Sequence, residues 1–290
     1  MRLHVVDGTY ELFRAHFSRR PPHRAPDGTE RKATVAIASA MLSLLHDEGE
    51  AVTHVAVAFD NPIRSFRNDL FAGYKSDEDV PPELRAQFDP AEEAVAALGM
   101  AVWSMRDFEA DDALATAAAR YANRVDQVRI LTPDKDLGQS LRGTRVVQVD
   151  WRGKLVVDEE AMVRRRGVRP ESIPDLLALT GDDADGIPGL VGFGEKSASA
   201  LLAKFIHLEN IPPDWRAWPP VRSAAQLSAT LEGRREEVLL YRKLATLSLE
   251  APIGSLEETR FAGVPRERFL AWCDRLGVTD LRDRPRRWSA

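Results

Sequence analysis

The chain has 290 residues, of which 44% are hydrophobic and 29% are charged, and its formal net charge at neutral pH is −5. These values are typical of a globular protein with one large domain or two modest ones, and they exclude a disordered chain or a membrane-spanning protein. A single cysteine excludes an internal disulfide, and six histidines without ligand spacing argue against a zinc site, so we expect a cytoplasmic protein.

Short apolar runs that lead to acidic residues alternate with helical patterns over the first 160 residues. The runs are LHVVD, VAVAFD, AVWSM and VRIL, and they lead to Asp7, Asp60, Glu109 and Asp134. Near-continuous apolar runs of this length are typical of strands that are buried on both faces of a parallel sheet. The helical patterns between them span residues 32–48, 82–98 and 109–121. This alternation predicts an α/β fold with a mostly parallel twisted sheet flanked by helices.

Strand signals stop near residue 160, and helical patterns continue beyond it. The predicted helices of this part span residues 170–179, 196–205, 224–231 and 234–247. We therefore predict two regions, an α/β core over 1–160 and a helical region over 161–290.

Nine carboxylates lie near the predicted strand ends or in the later GDDAD segment. They are Asp7, Asp60, Glu109, Asp111, Asp112, Asp134, Asp136, Asp182 and Asp185. Any one of them could simply cap a helix or face solvent, as we expect for Asp183. Acids crowded at one sheet edge, however, raise each other's pKa and destabilise the fold unless cations neutralise them.

The nine acids therefore predict a site for two Mg²⁺ or Mn²⁺ ions, since these cations prefer oxygen ligands and can clamp a phosphodiester. Glu109 and Asp112 share one face of a helical turn at i, i+3 spacing, as do Asp182 and Asp185. We expect Asp112 and Asp134 to be direct ligands. The net negative charge does not exclude a polyanionic partner, because bound cations offset acids that are concentrated in one place.

Six segments of the chain together resemble the 5′-nuclease family. That family includes the 5′→3′ exonuclease domain of bacterial DNA polymerase I and stand-alone bacterial flap endonucleases. The segments occur in the family's order within residues 3–205, and they are VDGTYELFRA, AFDNPIRSFRNDLFAGYKS, FEADDALATAA, ILTPDKDLGQSL, LTGDDADGIPG and VGFGEKSASALL. The resemblance implies a PIN-like or resolvase-like nuclease core with an arch within residues 1–160. It also implies hydrolysis of DNA with a 5′ end or flap, leaving a 5′-phosphate and a 3′-OH.

The resemblance also assigns basic and glycine-rich residues to DNA. Arg14, Arg67 and Lys75 match positions that the family places over the scissile phosphate, although a solvated surface side chain is the alternative for each. The segment IPGLVGFGEKSA resembles a helix–hairpin–helix, which we place at 187–205. Its DNA-binding candidates are Gly189, Gly192, Gly194, Lys196 and Ser197. The family adds a monovalent cation such as K⁺ at this hairpin, and we expect a monomer that also accepts an RNA primer.

The sequence departs from the family in the arch. The family usually carries a further Arg or Lys after the YK pair, whereas this chain has Asp77, Glu78 and Asp79. We expect this acidic run to repel a single-stranded flap, an effect that the basic stretch RRPPHR at 19–24 could offset. Nearby, Phe71 and Tyr74 could either stack on an unpaired base or pack within a helix.

Two other functions fit parts of the sequence. A catalytically weak or inactive DNA-junction-binding protein of the same fold would keep the hairpin, and the acidic arch favours it faintly. A haloacid-dehalogenase-type phosphatase is suggested by VVDGT but needs an aspartate where the chain has Val5. The intact carboxylate set favours the nuclease over both.

Overall fold

A six-stranded mixed sheet forms the centre of the first region, in a computed structural model that describes residues 1–78 and 80–289. Its strands are β1 Arg2–Asp7, β2 His54–Asp60, β3 Ala101–Met105, β4 Gln127–Leu131, β5 Val146–Asp150 and β6 Leu155–Val157. The order is β3-β2-β1-β4-β5-β6, with β1 to β5 parallel and β6 antiparallel to β5. The predicted fold class is confirmed, although the sequence patterns gave no sign of β5 and β6.

Helices flank this sheet and continue through the second region. They are α1 Gly8–His16, α2 Lys32–Leu45, α3 Arg67–Leu70, α4 Pro82–Arg85, α5 Phe88–Ala97, α6 Ala110–Tyr121, α7 Glu159–Arg166, α8 Ile173–Thr180, α9 Glu195–Phe205, α10 Ala224–Gly233, α11 Arg235–Ala245 and α12 Arg266–Leu276. Among the described residues, no helix combines the length and the apolar character that crossing a bilayer would require.

The single helix predicted over 82–98 is in fact two helices, and Gln87 explains the interruption. Its fully buried side-chain oxygen accepts hydrogen bonds from the backbone N–H groups of Ala33, at 3.0 Å, and Thr34, at 3.1 Å. Those groups lie in the first turn of α2, where no side chain of the preceding residue caps the helix. Gln87 thus satisfies the start of another helix and joins α2 to α5.

A buried ion pair ties three segments together near the starts of β1 and β4. The guanidinium of Arg129 on β4 donates to Glu50 at 2.6 and 2.9 Å, and the ring of His4 on β1 lies 3.0 Å from the same carboxylate. Burial would raise the pKa of Glu50, but the hydrogen bond from His4 and the pairing with Arg129 outweigh it and lower this pKa to about 2. Glu50 therefore anchors the loop before β2 to β1 and β4.

The chain returns to the first region after α11. The helical region has its own hydrophobic cluster, which ends at Ala245. The segment from Leu247 to Leu256 packs against α6 and the sheet, and Phe269 and Trp272 of α12 pack in the same cluster as α2 and α5. Apolar side chains of this last part thus pack against the α/β core, and the division of the chain at residue 160 stays a prediction.

Replacing Glu50 by Gln should lower the free energy of unfolding by about 3–5 kcal/mol, the usual cost of breaking one side of a buried ion pair. Arg129 is 7% exposed and would lose its charge partner. Urea unfolding measures the change. The exposed Glu48→Gln is the matched control, with an expected effect within about 0.5 kcal/mol. Equal stability of the two variants would contradict the anchoring role of Glu50.

Candidate metal centre and nucleic-acid interface

The carboxyl ends of the central strands open into a cavity of about 620 Å³, here called the acidic cleft. Asp7 is the last residue of β1 and Asp60 is the last residue of β2. Asp111 lies in the first turn of α6, and Asp134 follows β4 by three residues. These four residues, the first acid group, line the cleft together, at the point where the sheet order reverses between β1 and β4.

Both strand-end acids also accept hydrogen bonds from the starts of helices, as expected if each of them simply capped a helix. Asp7 accepts from the backbone N–H of Tyr10 at 2.8 Å and from the hydroxyl of Thr132 at 2.9 Å. Asp60 accepts from the N–H of Ala110 at 2.6 Å. Burial nonetheless raises the pKa of Asp7 to about 7, with a further contribution from the charge of Asp60, so capping does not relieve the crowding.

A second acid group comprises Asp136, Asp182 and Asp185. One carboxylate oxygen of each lies within 4.8 Å of those of the other two. Asp136 lies in a 3₁₀ turn after β4, whereas the other two lie in the loop that follows α8. Burial raises the pKa of Asp136 well above its usual range, and so does the charge of Asp134. Asp134 thus acts electrostatically on both groups.

Each acid group holds one buried carboxylate oxygen that has no hydrogen-bond partner among the described residues. These atoms are Oδ1 of Asp111 and Oδ1 of Asp136. An unsatisfied buried acceptor costs about 1–3 kcal/mol, and more when it is charged. Several carboxylate oxygens around such an atom are the ligand set that a hard divalent cation prefers. Asp136, Asp182 and Asp185 therefore fit a divalent cation, and the first acid group offers further carboxylates in the adjoining cleft.

Arg67 is placed differently from our prediction. It is 1% exposed, and its two Nη atoms each donate to one oxygen of Asp112 at 2.8 Å. Further bonds to Glu109 and to the carbonyls of Leu244 and Thr246 occupy its remaining donors. In this arrangement the guanidinium has no donor left for a scissile phosphate, so the structure gives that role no support and it stays a prediction.

Asp112 also departs from the predicted role of direct metal ligand. It is fully buried, and Arg67 occupies both of its carboxylate oxygens. The same oxygens accept the N–H groups of Glu109, at 3.0 Å, and Ser248, at 2.7 Å. Asp112 therefore fixes the start of α6, and with it the position of Asp111, instead of facing the cleft.

Lys75 pairs with two of the predicted acids, and its contact with a scissile phosphate stays a prediction. Its Nζ atom is 2.9 Å from Glu109 and 2.9 Å from Asp185. Burial would raise the pKa of Glu109, but Lys75 and Arg67 outweigh that effect and lower it to about 2. Lys75 lines the cleft and is thus a cation that bridges Glu109 and Asp185.

Four residues that bind the acids were not predicted from the sequence as their partners. Tyr74 is buried and its hydroxyl donates to Glu109 at 3.1 Å, so it packs in a loop and does not stack on a base. The others are Ser65 on Glu109, Thr132 on Asp7, and Lys135, whose Nζ atom is 2.8 Å from Asp182. Lys135 lies between Asp134 and Asp136 in the chain, and Thr132 lies two residues before Asp134. This closeness in sequence is the one signal that could have identified them.

Arg14 does not line the acidic cleft. Its guanidinium donates to the buried Glu11 at 2.9 Å, and it borders a neighbouring cavity of about 220 Å³. The two cavities share Tyr10, Thr132 and Pro133 as lining residues. Arg14 thus borders the cavity next to the acidic cleft, and its contact with a phosphate stays a prediction.

The hairpin residues fall into two sets. Gly192 and Gly194 are exposed, and Gly194 is the N-cap of α9, whose first turn carries Lys196 and Ser197. Ser197 accepts the N–H of Gly194 at 3.1 Å. Gly189 is buried with φ 68°, and an added Cβ would lie 2.4 Å from a backbone nitrogen, so this glycine serves the turn and not an approach to DNA. The helix that precedes this hairpin in the chain is α8, and the placement of the motif at 187–205 stays a prediction.

The acidic run in the arch is partly neutralised by the chain itself. The carboxylate of Asp77 lies 3.7 Å from the guanidinium of Arg85. Asp79 lies outside the described residues. The basic stretch 19–24 contacts the C-terminal part of the chain, because the ring of His23 lies 2.8 Å from the carbonyl oxygen of Leu276.

Family models match nearly the whole chain. The model described as 5′-3′ exonuclease, N-terminal resolvase-like domain, matches residues 2–167, and the model described as 5′-3′ exonuclease, C-terminal SAM fold, matches residues 168–267. The chain belongs to the 5′-3′ exonuclease family. The boundary between the two models falls just after α7, a few residues beyond the predicted position.

Relatives in this family are of two lengths. A 5′-3′ exonuclease of Aquifex aeolicus is 30% identical over 88% of this chain and 85% of its own length. A DNA polymerase I of Bacillus caldotenax is 32% identical over 95% of this chain, but the match spans only 31% of that protein. Among solved structures, the flap endonuclease of bacteriophage T5 in complex with DNA and metal ions has a TM-score of 0.61 at 21% identity, covering 86% of this chain and 89% of that one.

Replacing Arg67 by Ala should lower the free energy of unfolding by about 3–5 kcal/mol, because it leaves the buried Asp112 without its counter-ion. Arg64→Ala is the matched control from the same loop. Arg64 pairs with Asp69 at the surface, and its loss should cost less than about 1 kcal/mol in the same denaturant titration. If Arg67→Ala lost activity but kept full stability, a direct contact with substrate would be the better account.

Without divalent cations, the protein should become less stable as the pH rises from about 4 to about 7. Folded Asp7 keeps its proton up to pH about 7, whereas an unfolded aspartate loses it near pH 4, so the folded state binds more protons in this window. Thermal unfolding in EDTA should show a Tm several degrees lower at about pH 7.5 than at about pH 5.5.

Mg²⁺ or Mn²⁺ should restore the Tm, and more strongly at the higher pH, because cation binding requires deprotonated ligands. Asp7→Asn is the control variant and should flatten the pH dependence measured in EDTA. A Tm in EDTA that stays level or rises over this range would contradict the assignment.

Proposed function

We propose that this chain is a structure-specific 5′ nuclease that hydrolyses DNA phosphodiesters with two divalent metal ions. It would act as a 5′→3′ exonuclease and flap endonuclease and leave a 5′-phosphate and a 3′-OH. The observation that carries the proposal is the gathering of two acid groups, each with an unsatisfied buried oxygen, at the carboxyl edge of the sheet. Membership in the 5′-3′ exonuclease family supports it.

The cations would be held by the two acid groups, and Mg²⁺ or Mn²⁺ suits an all-oxygen ligand set of this kind. When bound, such a pair of ions lowers the pKa of a water molecule and stabilises the charge that develops on the leaving oxygen. The chain itself supplies Lys75, whose side chain is 26% exposed at the cleft and can contact a phosphate oxygen. Arg67 and Asp112 act by holding Glu109 and the start of α6 in place.

The hairpin would hold the duplex away from the site of cleavage. The exposed Gly192 and Gly194 leave the start of α9 open, and the N–H groups there, with Lys196 and Ser197, can bind a backbone phosphate. A K⁺ ion at the hairpin carbonyls is part of this proposal on the strength of the family resemblance. Contacts of this kind position DNA without reading its sequence.

The finer assignments are also proposals. A free 5′ end or a 5′ flap, and an RNA primer, are the substrates that the family resemblance implies. A monomer in the cytoplasm fits a chain whose only cysteine is buried and free. The pairing of Asp77 with Arg85 weakens the expected repulsion of a flap by the arch. The alternative of an inactive DNA-binding protein loses support because the two acid groups are intact.

Asp136→Asn should abolish cleavage of a 5′-flap duplex in Mg²⁺, with a loss of more than about 100-fold, the upper end of what partners outside the ligand shell contribute. DNA affinity should stay roughly the same, since the hairpin is untouched. Asp183→Asn is the matched control, because Asp183 is adjacent in the chain to Asp182 of the same acid group but is exposed. EDTA should stop the wild-type reaction.

Three results would contradict the proposed function. One is cleavage that continues in EDTA, and another is full activity of Asp136→Asn. The third is wild-type protein that shifts the DNA in a binding assay but never cuts it, which would favour the inactive DNA-binding protein.

A further inference from the structure

One cationic side chain of the acidic cleft has no partner among the residues that the structure describes. The cations that line the cleft are Lys75, Lys135, Arg165 and Arg166. The two lysines pair with carboxylates of the acid array, and Arg166 pairs with Glu195 at 2.9 Å. Arg165 makes neither a hydrogen bond nor an ion pair within 1–78 and 80–289, and it is exposed.

The local structure of α7 does not account for this position. Arg164, Arg165 and Arg166 all lie in the last turn of the helix, where positive charge complements the helix dipole. That benefit is shared by all three, but their contacts differ. Arg164 pairs with Glu160 one turn earlier on the helix surface, whereas Arg165 borders the cleft. The helix dipole therefore explains why the end of α7 is basic, but it does not explain why Arg165 borders the cleft.

The end of α7 also adjoins the hairpin. Arg166 binds Glu195, the first residue of α9, and a Cβ on Gly167 would lie 3.5 Å from the Cβ of Ser199 on the same helix. The segment that carries Arg165 thus contacts both the acidic cleft and the second helix of the helix–hairpin–helix. Arg165 is therefore on the wall of the cleft that lies next to the hairpin.

We infer that Arg165 contacts a backbone phosphate of the duplex, between the phosphodiester that is cut and the phosphate held by the hairpin. This inference rests on the proposed nuclease function. A guanidinium without a protein partner keeps its donors available, and its planar fork matches the oxygens of a phosphate. The contact would position the duplex without selecting sequence, so Arg165 is a positioning residue between two sites that are otherwise separate.

The test compares Arg165→Ala with Arg164→Ala, its neighbour on the same helical turn. Binding of a 5′-flap duplex is measured over a series of salt concentrations in EDTA, and cleavage is measured in Mg²⁺. Arg165→Ala should reduce the slope of log affinity against log salt by about 0.9, the value for one lost phosphate contact. KM should rise several-fold with kcat unchanged, Arg165→Lys should keep the wild-type slope, and Arg164→Ala should match the wild type.

Neutral methylphosphonate linkages, placed one at a time along the duplex, locate the contact. At one or two adjacent positions between the cut and the hairpin, the neutral linkage should weaken wild-type binding but not binding by Arg165→Ala. Equal salt slopes for the two alanine variants, or no coupled position, would overturn the inference while wild-type cleavage still stood. Failure of the wild type to cleave would instead overturn the proposed function on which the inference rests.

Discussion

Repulsion among carboxylates that are buried in one place is the constraint on which the rest of this structure depends. The parallel strands bring Asp7 and Asp60 to the same edge, and the loops after β4 and α8 add more acids beside them. Burial strengthens each unfavourable interaction, because the surrounding protein screens charge far less than water does. A fold with this arrangement must supply positive charge there, either from its own side chains or from cations.

The protein divides its acids between these two sources. Arg67 and Lys75 neutralise Asp112 and Glu109 inside the fold, and Lys135 pairs with Asp182. Asp111 and Asp136 receive no such partner among the described residues. The internal pairs set the position of α6 and of the loop after α8, while the unpaired oxygens stay open to an ion. Acidic residues that look alike in the sequence therefore have different roles: some stabilise the fold through ion pairs, and others can bind a cation.

This division explains which features of the fold and of the site could be predicted from the sequence alone. Alternation of apolar runs and acids was sufficient to predict the parallel sheet and the convergence of Asp7, Asp60 and Asp134, because strand ends share an edge by topology. It could not separate Asp112 from Asp111, since the counter-ion of Asp112 is 45 residues away in the chain, at Arg67. Likewise, nothing local in 82–98 indicates that Gln87 leaves the helix to serve α2.

The return of residues 247–289 to the first region has a consequence for how the chain acquires its fold. Phe269 and Trp272 complete the cluster around α2 and α5, so that cluster cannot close before they are synthesised. On the ribosome, this cluster would therefore stay open, with apolar surface uncovered, until α12 has emerged. The helical region, whose cluster draws almost entirely on 141–245, is free to fold earlier, although it is translated later than the sheet.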